Sequence, residues 1–234
     1  MSETPTPAHL AATDAIDSQH PAVQAFVRQH DRGASQRERA VALVHAVRDA
    51  FRYDPYRIDL TPAGMRASTV IANGYGWCVP KATLLAAVAR AAGIPARLGF
   101  ADVRNHLSTQ RMRETMKTDL FIWHGYTELW LDGAWRKATP AFNLGLCQKF
   151  GLLPLDFDGV HDSIYHPFDA AGNRHMEYVN DRGTFDDLPL AHVVADFHRV
   201  YGNWLPAGSL RSDLVQDDFL ADVARETGAA TDRP

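Results

Sequence analysis

The chain has 234 residues, 46% of them hydrophobic and 22% charged. That is ordinary globular composition: it excludes a disordered or low-complexity protein and is enough to bury a sizeable core. Lysine and arginine number 24 against 28 aspartates and glutamates, a net charge of −4, which gives no overall draw toward nucleic acid or anionic lipid.

Residues 1–9 are polar and rich in proline and threonine, and read as a loose tail without a secretory leader. Pro21 opens a predicted helix over 21–29, with Val23, Phe26 and Val27 at helical spacing. Gly33 breaks it. Ser35 and Glu38 have the spacing of a capping box for a second helix running to about residue 52. A short helix is expected at 67–72, closed by Asn73-Gly74. The loop Gly74-Tyr75-Gly76-Trp77-Cys78 then feeds an Ala/Leu-rich helix over 79–92, with an apolar stripe of Leu84, Leu85, Val88, Ala89 and Ala92. Residues 96–103 read as a strand and 104–118 as a polar loop with a helical turn. Residues 119–131 alternate as a strand, with Leu120, Ile122, His124, Tyr126, Glu128 and Trp130 on one side. Asp132-Gly133 is a hairpin turn leading to a strand over 135–140. A second hairpin is expected from 161–166 and 175–180, turning at Ala171-Gly172-Asn173, and a late helix at 191–201. No repeat or long linker appears. The organisation expected is one domain over 10–226, with a core at about 35–143, an accessory part at 144–226 and a frayed end from 227. The longest apolar runs fall far short of the roughly 20 residues that span a bilayer.

Two cysteines make neither a disulfide scaffold nor a four-cysteine zinc site, so the expectation is a cytoplasmic protein with reduced thiols. Cys78 lies where a helix begins, with Pro80 in the first turn. Free N–H groups and the positive end of the helix there favour thiolate, the nucleophilic form, and can hold an oxyanion. Read alone, it is a small buried residue before it is a nucleophile. His124, on a strand 46 residues later, supplies the imidazole that a nucleophilic cysteine needs; alone, it reads as a structural strand histidine.

Together these segments resemble a known family. Gly76-Trp77-Cys78, the helix ending in Ala92-Gly93-Ile94-Pro95-Ala96-Arg97, the strand His124-Gly125-Tyr126-Thr127-Glu128-Leu129-Trp130 and the hairpin Asp132-Gly133-Ala134-Trp135 are similar to the transglutaminase-like superfamily, a papain-like cysteine fold. The segment Phe51-Arg52-Tyr53-Asp54 also fits. The resemblance implies an α+β fold with N-terminal helices and the cysteine helix packed on an antiparallel sheet. It also implies a Cys-His-Asp triad, of which Cys78 and His124 fill two places. The third place, four residues after Trp135 and before a proline, holds Thr139. Threonine accepts a hydrogen bond but brings no charge to stabilise imidazolium. Asn143 is the substitute for that role and Asp119 a distant third. Trp77 and Trp123 are expected to wall the substrate. The implied activity is attack on amide or ester carbonyls of a peptide, protein or small amide, by hydrolysis ahead of acyl transfer. The alternative is an inactive module of the same fold that binds a peptide or small ligand.

Other clusters read more plainly. Cys147 is a small buried hydrophobe. His161, His166 and His175, with Asp158, Asp162 and Asp169, have the residue types of a metal site but no ligand-helix pattern, so no metal is assigned; a metal-dependent hydrolase built on those histidines is the weakest reading. The basic loop at 104–117 reads first as a solvated surface loop and second as a border of the cleft, and 156–187 as an accessory hairpin over that cleft. No phosphate loop or dinucleotide fingerprint is present, so no cofactor is expected.

Overall fold

The computed structural model describes residues 3–105, 108–164, 176–202, 204–205 and 208–228. Helix α1 (Pro21–His30) starts with Pro21 at its first position. Helix α2 (Gln36–Ala50) starts on the capping box read from sequence: Ser35 Oγ accepts from Glu38 N at 3.2 Å and Glu38 Oε2 accepts from Ser35 N at 3.0 Å. Two short strands, β1 (Arg52–Tyr53) and β2 (Tyr75–Gly76), pair in parallel on either side of α3 (Ala67–Asn73). Gly74 closes α3 in the left-handed region, at φ 73°. The pairing ties the end of α2 to the segment that leads into the cysteine helix.

Helix α4 (Cys78–Ala91) is the centre of the molecule, and every residue from Cys78 to Arg90 is buried. The predicted apolar stripe is thus only part of its surface, because α1, α2 and α3 pack on one side and the sheet on the other. Its two long polar side chains are satisfied by backbone. Lys81 Nζ donates to the carbonyls of Arg48, Phe51 and Ala141 at 2.8, 2.7 and 2.9 Å. Arg90 donates to those of Ala96, Ala11 and Asp186. Lys81 thereby fills carbonyls that the end of α2 leaves without helical partners.

The main sheet has four strands, all antiparallel to their neighbours. Strand β3 (Ala96–Asn105) pairs with β4 (Leu120–Leu131), and α5 (Gln110–Met116) fills part of the stretch expected to be loop. Asp132 and Gly133 both have positive φ, 49° and 82°, as a tight two-residue hairpin requires, and β5 (Ala134–Ala138) returns. Next comes α6 (Leu144–Phe150), and β6 (Met176–Phe185) adds the edge beside β3.

The expected second hairpin needs correcting. The strand after residue 175 pairs with β3, while Ser163 bridges Ala138 in parallel; the turn proposed at Ala171-Gly172-Asn173 lies outside the described residues. Helix α7 (Leu190–Val200) matches the expected late helix. Helix α8 (Phe219–Thr227) is an addition to the elements read from sequence, although its signals are legible: Asp218 Oδ1 caps Ala221 N at 3.0 Å and Gly228 ends the helix at φ 68°. Among the described residues no helix is long and apolar enough to cross a membrane.

Candidate active site

Helix α4 begins at Cys78 itself, so the thiol sits in the first turn, where backbone N–H groups have no helical acceptor. Burial pushes the thiol pKa up to about 11, outweighing hydrogen bonds from the N–H groups of Gly125, Val79 and Cys78 that pull it down. The helix start therefore faces the sulfur as expected, yet in this closed arrangement the group is a neutral thiol at pH 7, not the thiolate predicted from position alone. Desolvation costs the anion more than these N–H groups return.

His124 reaches the same place because β4 passes very close to the start of α4. A Cβ on Gly125 would lie 3.0 Å from Val79 Cα and 3.4 Å from the Cys78 carbonyl oxygen, so any side chain there would press the strand away from the helix start. One residue earlier the strand bulges. Ala101 pairs with His124 and Val103 with Phe121, leaving Ile122 and Trp123 opposite Asp102 alone. Trp123 takes φ 57°, a left-handed conformation that costs a bulky residue about 1–3 kcal/mol. The strain is held by Asp102, whose buried carboxylate accepts from Trp123 N at 3.0 Å and also binds Arg182. Arg182 reaches on to Asp196 at 2.6 Å and lies 4.6 Å over the Trp123 ring. The bulge ends the regular alternation expected for β4 just upstream of His124.

Cys78 and His124 line one cavity of about 20 Å3, room for roughly one water molecule. Its walls include Tyr53, Trp77, Phe197, Tyr201 and Trp204. Tyr201 Oη is fixed between two backbone groups of β4, accepting from Ile122 N at 2.7 Å and donating to the Leu120 carbonyl at 2.8 Å. Burial raises its pKa above the ordinary tyrosine value, and that of Tyr53 well above it; a charge at Cys78 would add to both shifts. The indole N–H of Trp204 is buried and has no acceptor among the described residues.

His124 also lines a second cavity, of about 10 Å3, together with Thr139 and Met176. Thr139 donates its hydroxyl proton to the Ile164 carbonyl at 2.9 Å, which leaves its oxygen only an acceptor role toward other groups. The other two candidates for the third place are held elsewhere. Asn143 starts α6, and its side-chain oxygen accepts from Tyr53 N at 3.2 Å. Asp119 pairs with Arg104 at 3.0 Å, five residues and about 16 Å of strand from His124.

Of the two tryptophans, Trp77 borders the Cys78 cavity. Trp123 is instead packed against Phe100 and Phe185, its indole donating to Asp196 at 2.9 Å. It shapes the strand under His124. His161 pairs with Asp158 at 2.7 Å, while His166, Asp169 and His175 lie outside the described residues; among the described residues no group of three or more His, Cys, Asp or Glu side chains stands together as a metal site. Cys147 is fully buried, as expected.

The walls that sequence reasoning missed come from the end of the chain: Phe197 and Tyr201 at the end of α7, and Trp204 after it. An Asp-Phe-His-Arg-Val-Tyr run carries no sign that it faces residue 78, since that contact is made only when β6 and α7 fold back on the sheet.

Among curated proteins none matches the chain. It is similar to the solved structure of a Cytophaga hutchinsonii protein named as a candidate cysteine protease, at 18% identity and a TM-score of 0.43, over 76% of this chain. The chain spans 53% of that protein's length. The family model of the transglutaminase-like superfamily matches residues 24–140, half of the chain, a stretch containing Cys78, His124 and Thr139. By that match, and with the cysteine helix packed on an antiparallel sheet, the chain belongs to the transglutaminase-like superfamily.

Proposed function

We propose that the protein is a cysteine enzyme that opens amide or ester carbonyls through a thioester on Cys78. The observation that carries this reading is the cavity shared by Cys78 and His124, with Thr139 lining a second cavity against the same histidine. Cys78 Sγ attacks the carbonyl carbon while its proton passes to the His124 ring. The oxyanion is held by N–H groups at the start of α4, and the buried Trp204 indole N–H is a further donor that a carbonyl oxygen in the cavity would satisfy. Collapse expels an amine or alkoxide, which takes the proton from His124. Water, activated by His124, then releases the acid and restores the thiol; an amine in place of water would give acyl transfer.

Because the resting thiol is neutral, the proton must leave during attack. The alkylation rate of Cys78 by iodoacetamide is therefore expected to climb about tenfold per pH unit toward a plateau near pH 11. A plateau already reached at pH 6 would mean a preformed thiolate–imidazolium pair and overturn this resting state.

The test of the function is acylation by p-nitrophenyl acetate, followed by peptide mass mapping. Acetyl on Cys78, formed much more slowly in His124→Gln, supports the reading. Acylation elsewhere, or at an unchanged rate in that variant, ends it. The neutral thiol and the threonine at position 139 also favour a second reading, a non-catalytic module that holds a peptide or small ligand. In that case Cys78→Ala would leave the biological activity intact.

A further inference from the structure

The small cavity at Cys78 is bounded on one side by Trp77 and Ile58. On the other side of Trp77 and Ile58, which line both spaces, lies an open cleft of about 550 Å3. That is the size of a small-ligand or short-peptide site. The ionisable side chains on its walls include Arg57, Arg211 and Asp59. Each guanidinium is anchored by Nε alone, Arg57 to Asp54 and Arg211 to Asp59, both at 3.1 Å, and among the described residues the terminal nitrogens of both have no hydrogen bond. Arg57 is further steadied over the Tyr75 ring at 5.3 Å. Two anchored forks with unused N–H edges, opposed by one carboxylate already engaged, suit a carboxylate guest held by bidentate hydrogen bonds.

We propose that this cleft is the entrance to the Cys78 cavity and that Arg57 and Arg211 select acyl substrates carrying a carboxylate, with Trp77 and Ile58 as the partition the reacting carbonyl must pass. The inference rests on the cysteine-enzyme reading, and it names the substrate class for that site.

The test uses two alkylating probes of similar size, the anionic iodoacetate and the neutral iodoacetamide, on the full chain at pH 8. The ratio of their rates at Cys78, read by peptide mass mapping, is compared with the ratio in the urea-unfolded chain. One added favourable charge contact predicts a ratio about fivefold higher in the folded protein. It should fall to the unfolded value in Arg211→Gln, whose exposed side chain is safe to change, and in Arg57→Gln, and should fade in 0.5 M salt. Ile58→Ala should speed both reagents by thinning the partition. A ratio equal to that of the unfolded chain, or one untouched by Arg211→Gln and salt, overturns the anion selection; no acceleration in Ile58→Ala or in Trp77→Phe overturns the route. Acetylation of Cys78 by the neutral ester serves as the separate control. If it fails while the charge preference persists, the catalytic reading falls and the entrance stands; if it succeeds without any preference, the reverse holds.

Discussion

Replacing Cys78 by alanine is expected to lower turnover of an activated ester or amide by about 10⁴-fold or more, and His124→Gln by a comparable factor. The double variant should be no worse than Cys78→Ala alone, because the imidazole acts only through the sulfur and the two losses are one loss counted twice. Thr139→Ala should cost far less, about tenfold, since a hydroxyl that accepts from imidazole orients the ring without supplying charge. Initial rates on one substrate across the four variants decide the matter. If Cys78→Ala keeps more than a tenth of the rate, the sulfur is not the nucleophile. If Thr139→Ala matches His124→Gln, the third position matters more to catalysis than a neutral acceptor can explain.

Lys81→Met is expected to destabilise the fold by about 4 kcal/mol, a large share of the roughly 5–15 kcal/mol that holds a typical domain together. The side chain is fully buried and its three donors meet three carbonyls at 2.7–2.9 Å. Methionine fills nearly the same volume, so little is lost in packing. What is lost is the buried amino group that those three carbonyls share, whose pKa burial lowers to about 7: two carbonyls at the end of α2, and one in the segment that follows β5. Urea denaturation of the variant against the parent chain measures the difference. A shift under about 1 kcal/mol would mean that water or a local rearrangement satisfies the carbonyls, and that the lysine does not clamp these segments. Lys81 stands one turn after Cys78, so loosening this clamp should also raise the alkylation rate of Cys78 in folded protein.

Much of the architecture is written in short-range chemistry. Ser35 and Glu38 announce the start of α2 by their spacing, and the structure closes both hydrogen bonds. Asp132-Gly133 announces its hairpin because few other dipeptides accept positive φ twice in succession. Cys78 is legible as a helix start and His124 as a strand residue. What sequence does not weigh is desolvation: the favourable helix end is a local fact, whereas the burial that overrides it depends on Tyr53, Tyr201 and Trp204 closing in from distant parts of the chain. The same limit applies to Trp123. Proximity to His124 suggests a wall of the site, but a left-handed residue in a bulge sends the ring toward Asp196 and Arg182.

The order of the strands bears on how the protein is made. The segment carrying the family resemblance is complete by residue 143, yet the edge of the sheet beyond β3 is closed only by Met176–Phe185, and the lining of the cavity only by residues 197–204. During synthesis, a ribosome-bound chain that has emerged only as far as Phe142 carries both Cys78 and His124. It also carries a ten-residue strand with one side unpaired and a thiol without the part of its cover that Phe197, Tyr201 and Trp204 provide. Such an edge is a ready template for pairing with another chain. Residues 176–204 thus pair the open strand edge and complete the cover over Cys78.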